Sequence, residues 1–232
     1  GGVGCSTIAY TFAKHLAMAK PELKIVFLGL DLFDPGWPHK PATSLDLWKP
    51  RITGRILQHS DFEHLPIVDG IRVLPGNYDP LSVEDYHDEE IEYLLERTSE
   101  YADIIIADFG FIPQSAAWFV GVQRAPYKYF VMKQGHEYKV NQILKLMGHL
   151  DVSPSELLLV VNQYDAQSAI TARSLSQQLA IPLLAEYPIY ERFSSLYLPL
   201  GKKDQNQLDE HIHGILSSMG LEKPKKRGGL FS

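Results

Sequence analysis

The chain has 232 residues, of which 45% are hydrophobic and 22% are charged, and its formal net charge is −6. This composition predicts a globular protein that can bury a sizeable core, and the acidic balance argues against a protein that coats nucleic acid. The single cysteine, Cys5, excludes an internal disulfide, so we expect a reducing, cytoplasmic compartment. The sequence contains no apolar run of the ~20 residues that a membrane-spanning helix needs.

The first recognisable element is a glycine-rich loop that opens a helix. Residues 1–7 are Gly-Gly-Val-Gly-Cys-Ser-Thr, and apolar residues recur at helical spacing through 5–20, until Pro21. Glycines let backbone N–H groups curl around a phosphate at a helix N-terminus. The pattern therefore predicts a phosphate-binding loop. Because a buried strand normally precedes such a loop, we expect that strand upstream of Gly1.

Further along the chain, apolar runs alternate with segments of helical periodicity. Buried strands are predicted at 24–30, 70–76, 103–108, 129–132, 157–161 and 182–186. Helices are predicted at 52–58, 88–100, 136–149, 166–179 and 208–219, and a long surface loop at 34–50. The alternation is typical of the α/β class, with a mostly parallel sheet flanked by helices on both faces. We expect one domain at 1–220 and a basic, flexible tail at 221–232.

Polar side chains follow three of the predicted strands. Asp31 comes after the first strand, Asp108 ends the third, and Asn162 follows the fifth. The carboxyl ends of parallel strands meet at one edge of a sheet, where ligands bind. A carboxylate there can hold Mg²⁺ through water, and a side-chain amide can donate to and accept from an adenine edge. Each also has an ordinary structural explanation: a turn for Asp31, a polar strand end for Asp108, and a helix N-cap for Asn162.

These motifs, taken in order, resemble those of a known group of ATPases. The segments GGVGCST, LDLFDP, GIRVLPG, ADIIIADFG and VVNQYD look like those of the MinD/ParA group of deviant Walker ATPases, whose loop usually reads KGGVGKST. The chain is most similar to the pilus-assembly branch called CpaE or TadZ, in which many members carry a receiver-like domain upstream. The resemblance implies a P-loop NTPase-like fold of the SIMIBI/MinD type, with ATP or ADP and Mg²⁺ as ligands, and a homodimer.

The resemblance also assigns roles to single residues. The loop residues that would surround the nucleotide phosphates are Gly1, Gly2, Val3, Gly4, Cys5, Ser6 and Thr7. Within this loop, Ser6 would ligate Mg²⁺ and Thr7 would contact the α-phosphate. Asp108 would be the Walker B residue, holding Mg²⁺ through water, and Asn162 would contact adenine. Asp31 would help to position the attacking water.

Two departures from the family pattern bear on turnover. Cys5 stands where the family has its P-loop lysine, and Gly29 replaces the first aspartate of a D-x-D element that ends at Asp31. The family's signature lysine would precede Gly1. Losing a lysine from a phosphate site removes a charge-assisted contact worth ~1.5–3 kcal/mol, and more where charge develops in the transition state. We therefore expect nucleotide binding with weak or absent hydrolysis. Cys5 is interpreted as a small filler; a redox thiol with a lowered pKa is the alternative.

The resemblance implies a localisation or scaffold protein for pilus or secretion machinery, cytoplasmic and recruited to the inner membrane face or a cell pole. The alternative is an active MinD/ParA-like ATPase that cycles between monomer and ATP-bound dimer in positioning or partitioning. A tyrosine-kinase-like relative is disfavoured because no tyrosine follows Tyr197. The basic segment 223–231 allows at most weak, peripheral membrane contact.

The aromatic and histidine side chains carry weaker signals. The three tryptophans, Trp37, Trp48 and Trp118, are interpreted as packing or partner contacts. The nine histidines show no metal-ligand spacing, and we expect His211 and His213 to face solvent. No segment gives a strong nucleic-acid signal.

Overall fold

The computed structural model describes residues 2–32, 36–37, 42–79, 81, 86–110, 113, 115–190 and 196–221. Gly1, parts of the predicted loop 34–50 and tail residues 222–232 therefore lie outside the described residues.

Helices and strands alternate along the described chain. The helices are α1 (Cys5–Ala19), α2 (Leu45–Thr53), α3 (His59–Glu63), α4 (Asp88–Tyr101), α5 (Ala116–Arg124), α6 (Glu137–Gly148), α7 (Ala172–Leu179) and α8 (Lys202–Ser218). The strands are β1 (Ile25–Gly29), β2 (Ile67–Val68), β3 (Ile71–Leu74), β4 (Ile104–Asp108), β5 (Lys128–Met132), β6 (Leu157–Tyr164) and β7 (Leu183–Pro188). A short 3₁₀ turn, Pro154–Glu156, leads into β6.

The strands form two sheets that are mainly parallel. One sheet has the order β2-β3-β1-β4 and the other the order β5-β6-β7. All the pairings are parallel except the antiparallel pair β2–β3. Strands β1 and β4 run in register, with Gly29 opposite Asp108. The predicted mostly parallel α/β architecture is confirmed.

Helices cover both faces of the first sheet. On one face, Val26 and Leu28 of β1 pack in a cluster with residues of α2, α4 and α5. On the other face, Ile25 and Phe27 pack with residues of α1 and α8. Because successive side chains of a strand point to opposite faces, a strand buried on both faces is apolar throughout. This explains why β1 could be recognised as a continuous apolar run.

Helix α1 is fixed to the loop before α8 through one hydroxyl. The Thr11 hydroxyl, which is 1% exposed, donates to the Thr7 carbonyl at 2.7 Å and accepts from the Leu198 N–H at 2.9 Å. The Lys14 ammonium lies 3.2 Å from the centroid of the adjacent Tyr197 ring. The helix that begins at the glycine-rich loop is thus held along its length.

Several of the predicted elements are wrong in extent, including the last helix, which begins at 202, and the fifth predicted strand, which extends to 164. Helix α2 occupies the end of the predicted loop 34–50, and 54–58 separates it from α3 instead of forming a helix. Leu45, Trp48 and Ile52 are buried along α2 and drive its formation although Pro50 lies inside the helix. The predicted helix 166–179 begins only at 172, where Thr171 caps it by accepting from the Ser174 N–H.

The expected packing role of two tryptophans is confirmed, whereas one histidine differs from expectation. Trp48 and Trp118 are 7% and 6% exposed and belong to apolar clusters. His211 does not face solvent: its Nε2 lies 2.9 Å from the Tyr129 hydroxyl, and burial lowers its pKa. His213 is exposed, as expected.

Thr11 offers a test of how α1 is fixed. Thr11→Val keeps the shape of the side chain but leaves the buried Leu198 N–H without its acceptor, which costs about 1–3 kcal/mol. Thr98→Val is the matched control, because the buried Thr98 hydroxyl also donates to a carbonyl four residues earlier, at 2.6 Å. We expect the larger loss of unfolding free energy for Thr11→Val in urea titrations. Equal losses would contradict a tertiary role for the Thr11 hydroxyl.

Candidate functional site

The glycine-rich loop turns directly into the first turn of α1. Gly2 and Gly4 have φ angles of 80° and 88°, a region that glycine enters without steric cost. Gly4 is the N-cap residue of α1, no side chain caps this end, and the first turn carries no acidic residue. Since the first N–H groups of a helix lack intrahelical partners and favour negative charge, the loop has the backbone features of an anion site.

Asn162 holds this loop against the second sheet. It lies inside β6, is 3% exposed, and donates from Nδ2 to the Val3 carbonyl at 2.8 Å. A Cβ placed on Gly4 would lie 2.4 Å from the same Nδ2 atom. The N-cap interpretation of Asn162 is wrong, because the residue belongs to a strand and Thr171 caps the following helix. Its Oδ1 is buried and has no hydrogen-bond partner in the described part of the chain.

Asp31 and Asp108 come together at the carboxyl ends of two adjacent parallel strands. Asp31 is 8% exposed and Asp108 is 5% exposed. The backbone between them is fixed, since the Leu30 N–H donates to the Asp108 carbonyl at 2.7 Å. The edge of the sheet therefore presents two buried carboxyl groups to the same region, as their positions after apolar strands predicted.

Gly110 connects the two carboxyl groups, and sequence reasoning missed it. Its N–H donates to Asp108 Oδ1 at 3.1 Å. A Cβ on Gly110 would lie 2.3 Å from Asp31 Cγ, and the residue has a φ of 65°. Only glycine fits this position, and the signal was a glycine two residues after the strand-ending aspartate.

Ser6 and Asp108 both lie close to a second glycine, Gly36, which sequence reasoning also missed. A Cβ on Gly36 would lie 3.2 Å from Ser6 Oγ and 3.8 Å from Asp108 Oδ2. The hydroxyl and the carboxylate thus border the same small region. Hydroxyl and carboxylate oxygens are the donors that Mg²⁺ prefers, and Mg²⁺ usually takes only one or two protein ligands beside water and phosphate. No group of three or more His, Cys, Asp or Glu side chains among the described residues is arranged to hold a metal.

The Cys5 thiol is neutral at physiological pH. Burial raises the pKa of Cys5 to about 12, with further contributions from the negative charges of Asp108 and Asp31. The hypothesis of a redox thiol with a lowered pKa is therefore wrong, because a thiol needs a low pKa to be reactive near neutrality. The position at which the resemblance places a lysine holds an uncharged, partly buried side chain.

Solved structures with the same architecture are MinD and ParA proteins and a related synthase. A ParA family ATPase from Chlorobium tepidum superposes with a TM-score of 0.68 and 17% identity, covering 96% of this chain and 90% of that chain. The cell division ATPase MinD from Pyrococcus furiosus gives 0.68 and 17%, covering 93% and 95%. This chain has the MinD/ParA fold. A cobyrinic acid a,c-diamide synthase from Mycobacterium smegmatis, with a bound ATP analogue and magnesium, gives 0.64 and 16%, covering 95% and 92%.

No protein-family model and no curated protein matches the sequence. Within the described residues, none of the helices has the length and apolar character required to cross a membrane.

The packing of Asn162 against the loop can be tested with two glycines of the same loop. Gly4→Ala and Gly2→Ala both place an L-residue at a left-handed φ, at a cost of about 1 kcal/mol each. Only the methyl group on Gly4 meets Asn162, since a Cβ on Gly2 has no atom within 4 Å. We expect Gly4→Ala to lose at least about 1 kcal/mol more unfolding free energy in urea, as overpacked sites do. Equal losses would contradict the contact.

The raised pKa of Cys5 predicts a distinctive pH profile for its alkylation. Because the thiolate is the nucleophile, we expect the iodoacetamide rate of the folded chain to be low and to rise tenfold per pH unit between about pH 7 and about pH 10. In urea the rate should level off above about pH 9, near the ordinary pKa of a thiol. A plateau near pH 9 in the folded chain would contradict a neutral, desolvated thiol.

Proposed function

We propose that this chain binds ATP or ADP with Mg²⁺ and acts as a localisation or scaffold protein of the CpaE/TadZ type, with weak or absent hydrolysis. The proposal rests on one observation: the residues that would hold a Mg–nucleotide are present, whereas Cys5 is neutral. The loop geometry, Ser6 and Asp108 suit a Mg–nucleotide, whereas the uncharged thiol at Cys5 cannot stabilise a phosphoryl group as an ammonium would.

In this proposal the phosphates lie against the loop formed by residues 1–7. Gly2 and Gly4 give the loop its left-handed turns, and the N-terminus of α1 provides N–H groups and a favourable dipole. Mg²⁺, when bound, neutralises charge on the phosphates; Ser6 and Asp108 would hold it. Structures with this fold support the ligands: a MinD from Pyrococcus horikoshii is complexed with Mg-ADP, with a TM-score of 0.66 and 16% identity over 94% of both chains.

The charges near the loop support the proposal of slow turnover. Asp31 and Asp108 both raise the pKa of the Cys5 thiol, which shows that two negative groups act on the position where the family has its lysine. Negative charge developing on a transferred phosphoryl group would be repelled by these carboxylates unless a cation intervenes. A bound Mg²⁺ would supply one such cation and would support nucleotide binding. The phosphoryl transition state would still lack the second positive charge, which the family's P-loop lysine provides.

The proposal also includes partners and a location in the cell. A homodimer and pilus or secretion assembly proteins are the proposed partners, and the proposed location is the cytoplasm, with recruitment to the inner membrane face or a cell pole. These parts rest on the sequence motifs that resemble the CpaE/TadZ branch.

The second candidate is an active MinD/ParA-type ATPase. It is favoured by the retention of both carboxylates, since Asp31 is kept buried beside Gly110 at a position where it could orient a water. This candidate would need another cationic group to replace the charge missing at Cys5.

One variant separates the two candidates. Cys5→Lys restores an ammonium, and we expect it to tighten ATP binding relative to ADP, or to raise ATP turnover, by about 10- to 100-fold, the value of a charge-assisted hydrogen bond. Cys5→Met is the matched control, because it adds length without charge and should leave both quantities within about threefold of the wild type. The measurements are calorimetric binding of both nucleotides and phosphate release.

Two results would contradict the scaffold proposal. Rapid phosphate release by the wild-type chain that Cys5→Met leaves intact would favour the active ATPase. Failure of the wild-type chain to bind ATP and ADP in the presence of Mg²⁺ would exclude both candidates.

A further inference from the structure

Tyr10 of α1 is fixed by two different parts of the fold. It is 2% exposed, and its ring packs edge-on against Phe27 of β1, with the centroids 5.9 Å apart. Its hydroxyl donates to Asp69 Oδ2 at 3.2 Å. The Tyr10 ring is therefore a rigid surface, four residues beyond Ser6 on the same helix.

Trp37 packs on this surface. The Trp37 and Tyr10 rings meet edge-on, with centroids 5.5 Å apart and planes at 74°. On the other side, the Trp37 carbonyl accepts from the Tyr78 hydroxyl at 3.5 Å. We name Tyr10, Trp37 and Tyr78 the aromatic clamp. It contacts the Trp37 ring through Tyr10 and the Trp37 carbonyl through Tyr78.

The residue before Trp37 faces the two candidate magnesium ligands. Gly36 adopts a left-handed φ of 62°, and a Cβ built on it would lie 3.2 Å from Ser6 Oγ, 3.4 Å from Ser6 Cβ and 3.8 Å from Asp108 Oδ2. A side chain at Gly36 would therefore press on Ser6, which would have to shift to make room for it. Whatever fixes Gly36 also restricts the directions in which the Ser6 hydroxyl can point.

We propose that Trp37 is a positioning residue for the magnesium ligands: its contact with Tyr10 keeps the Gly36 backbone against Ser6 and Asp108. This inference rests on the proposed function, because it needs Mg²⁺ to bind at Ser6 and Asp108. The clamp pre-orients the hydroxyl and the carboxylate, so that less ordering is required when the ion arrives. Trp37 itself touches neither ligand.

The test measures how strongly nucleotide binding depends on Mg²⁺. ATP binding is followed by calorimetry across a Mg²⁺ titration, and again in EDTA. We expect Trp37→Ala to raise the Mg²⁺ concentration at half-maximal binding by about three- to tenfold, the factor that corresponds to one aromatic edge-to-face pair. Binding in EDTA should not change, because the phosphate loop is untouched. Trp37→Phe keeps a ring on Tyr10 and should stay within about twofold of the wild type.

Two further variants test the contacts of Trp37 and Gly36 while keeping the tryptophan. Tyr78→Phe deletes only the hydroxyl that holds the Trp37 carbonyl and should give a smaller rise in the same direction. Gly36→Ala leaves the clamp intact but places a methyl group against Ser6 and should also raise the Mg²⁺ midpoint. Tyr138→Ala, which removes a 77% exposed ring on α6, is the control and should change nothing. If Trp37→Ala does not fold, Tyr78→Phe and Gly36→Ala decide the matter.

Each possible result of the Mg²⁺ titration leads to a different conclusion. An unchanged Mg²⁺ midpoint in folded Trp37→Ala, with Mg²⁺-dependent binding in the wild type, overturns this inference and leaves the proposed function standing. An equal loss of affinity in EDTA and in Mg²⁺ also overturns it, since it indicates a merely structural role. A wild-type chain that binds no nucleotide at any Mg²⁺ concentration overturns the inference together with the proposed function.

Discussion

The packing of α1 against the first sheet is the constraint on which the candidate site depends. Tyr10 and Thr11 are adjacent in sequence and buried, yet they reach in different directions. Tyr10 contacts β1 and the segment that carries Gly36, and Thr11 holds the loop before α8. This turn of α1 therefore fixes the position of the glycine-rich loop, which leads into the helix. It also contacts two of the segments that surround the loop. Burial of two polar groups with satisfied hydrogen bonds gives this turn a single position.

The charges around the loop bear differently on the proposed binding and on the proposed slow turnover. A site with two buried carboxylates would need positive charge to accept phosphates, and Mg²⁺ with the helix N-terminus could supply it. The Cys5 thiol adds no positive charge, and its raised pKa keeps it neutral. The loop therefore combines the left-handed glycine turns of an anion site with an uncharged side chain at Cys5.

Much of the fold could be predicted from the sequence because buried parallel strands have an unmistakable pattern. Strands β1, β4 and β6 are continuous apolar runs, and the polar residues that end or follow them, Asp31 and Asp108, lie close together as expected. Helix α2 could not be predicted because the many Pro, Gly and Trp residues of 34–50 indicated a surface loop. In the structure, Leu45, Trp48 and Ile52 are buried along a helix that contains Pro50.

The contacts within the candidate site could not be predicted from the sequence. Gly36 and Gly110 matter because of what lies opposite them across the fold, and no local pattern reveals which atoms those are. Asn162 was interpreted as an adenine contact or a helix N-cap, whereas the strand extends past it and its amide donates to the Val3 carbonyl. The adenine contact stays a prediction. Long-range contacts of this kind depend on the relative placement of elements far apart in the chain.

The bond from Asn162 to Val3 places the candidate site at the junction of the two sheets. Asp108 belongs to the first sheet and Asn162 to the second, and the Asn162 amide holds the loop at Val3. The position of the Val3 carbonyl is therefore tied to β6, whose buried side chains pack with those of α6 and α7. A change in the packing of these helices on β6, even one remote from every glycine of the loop, would be transmitted through this single bond to the loop.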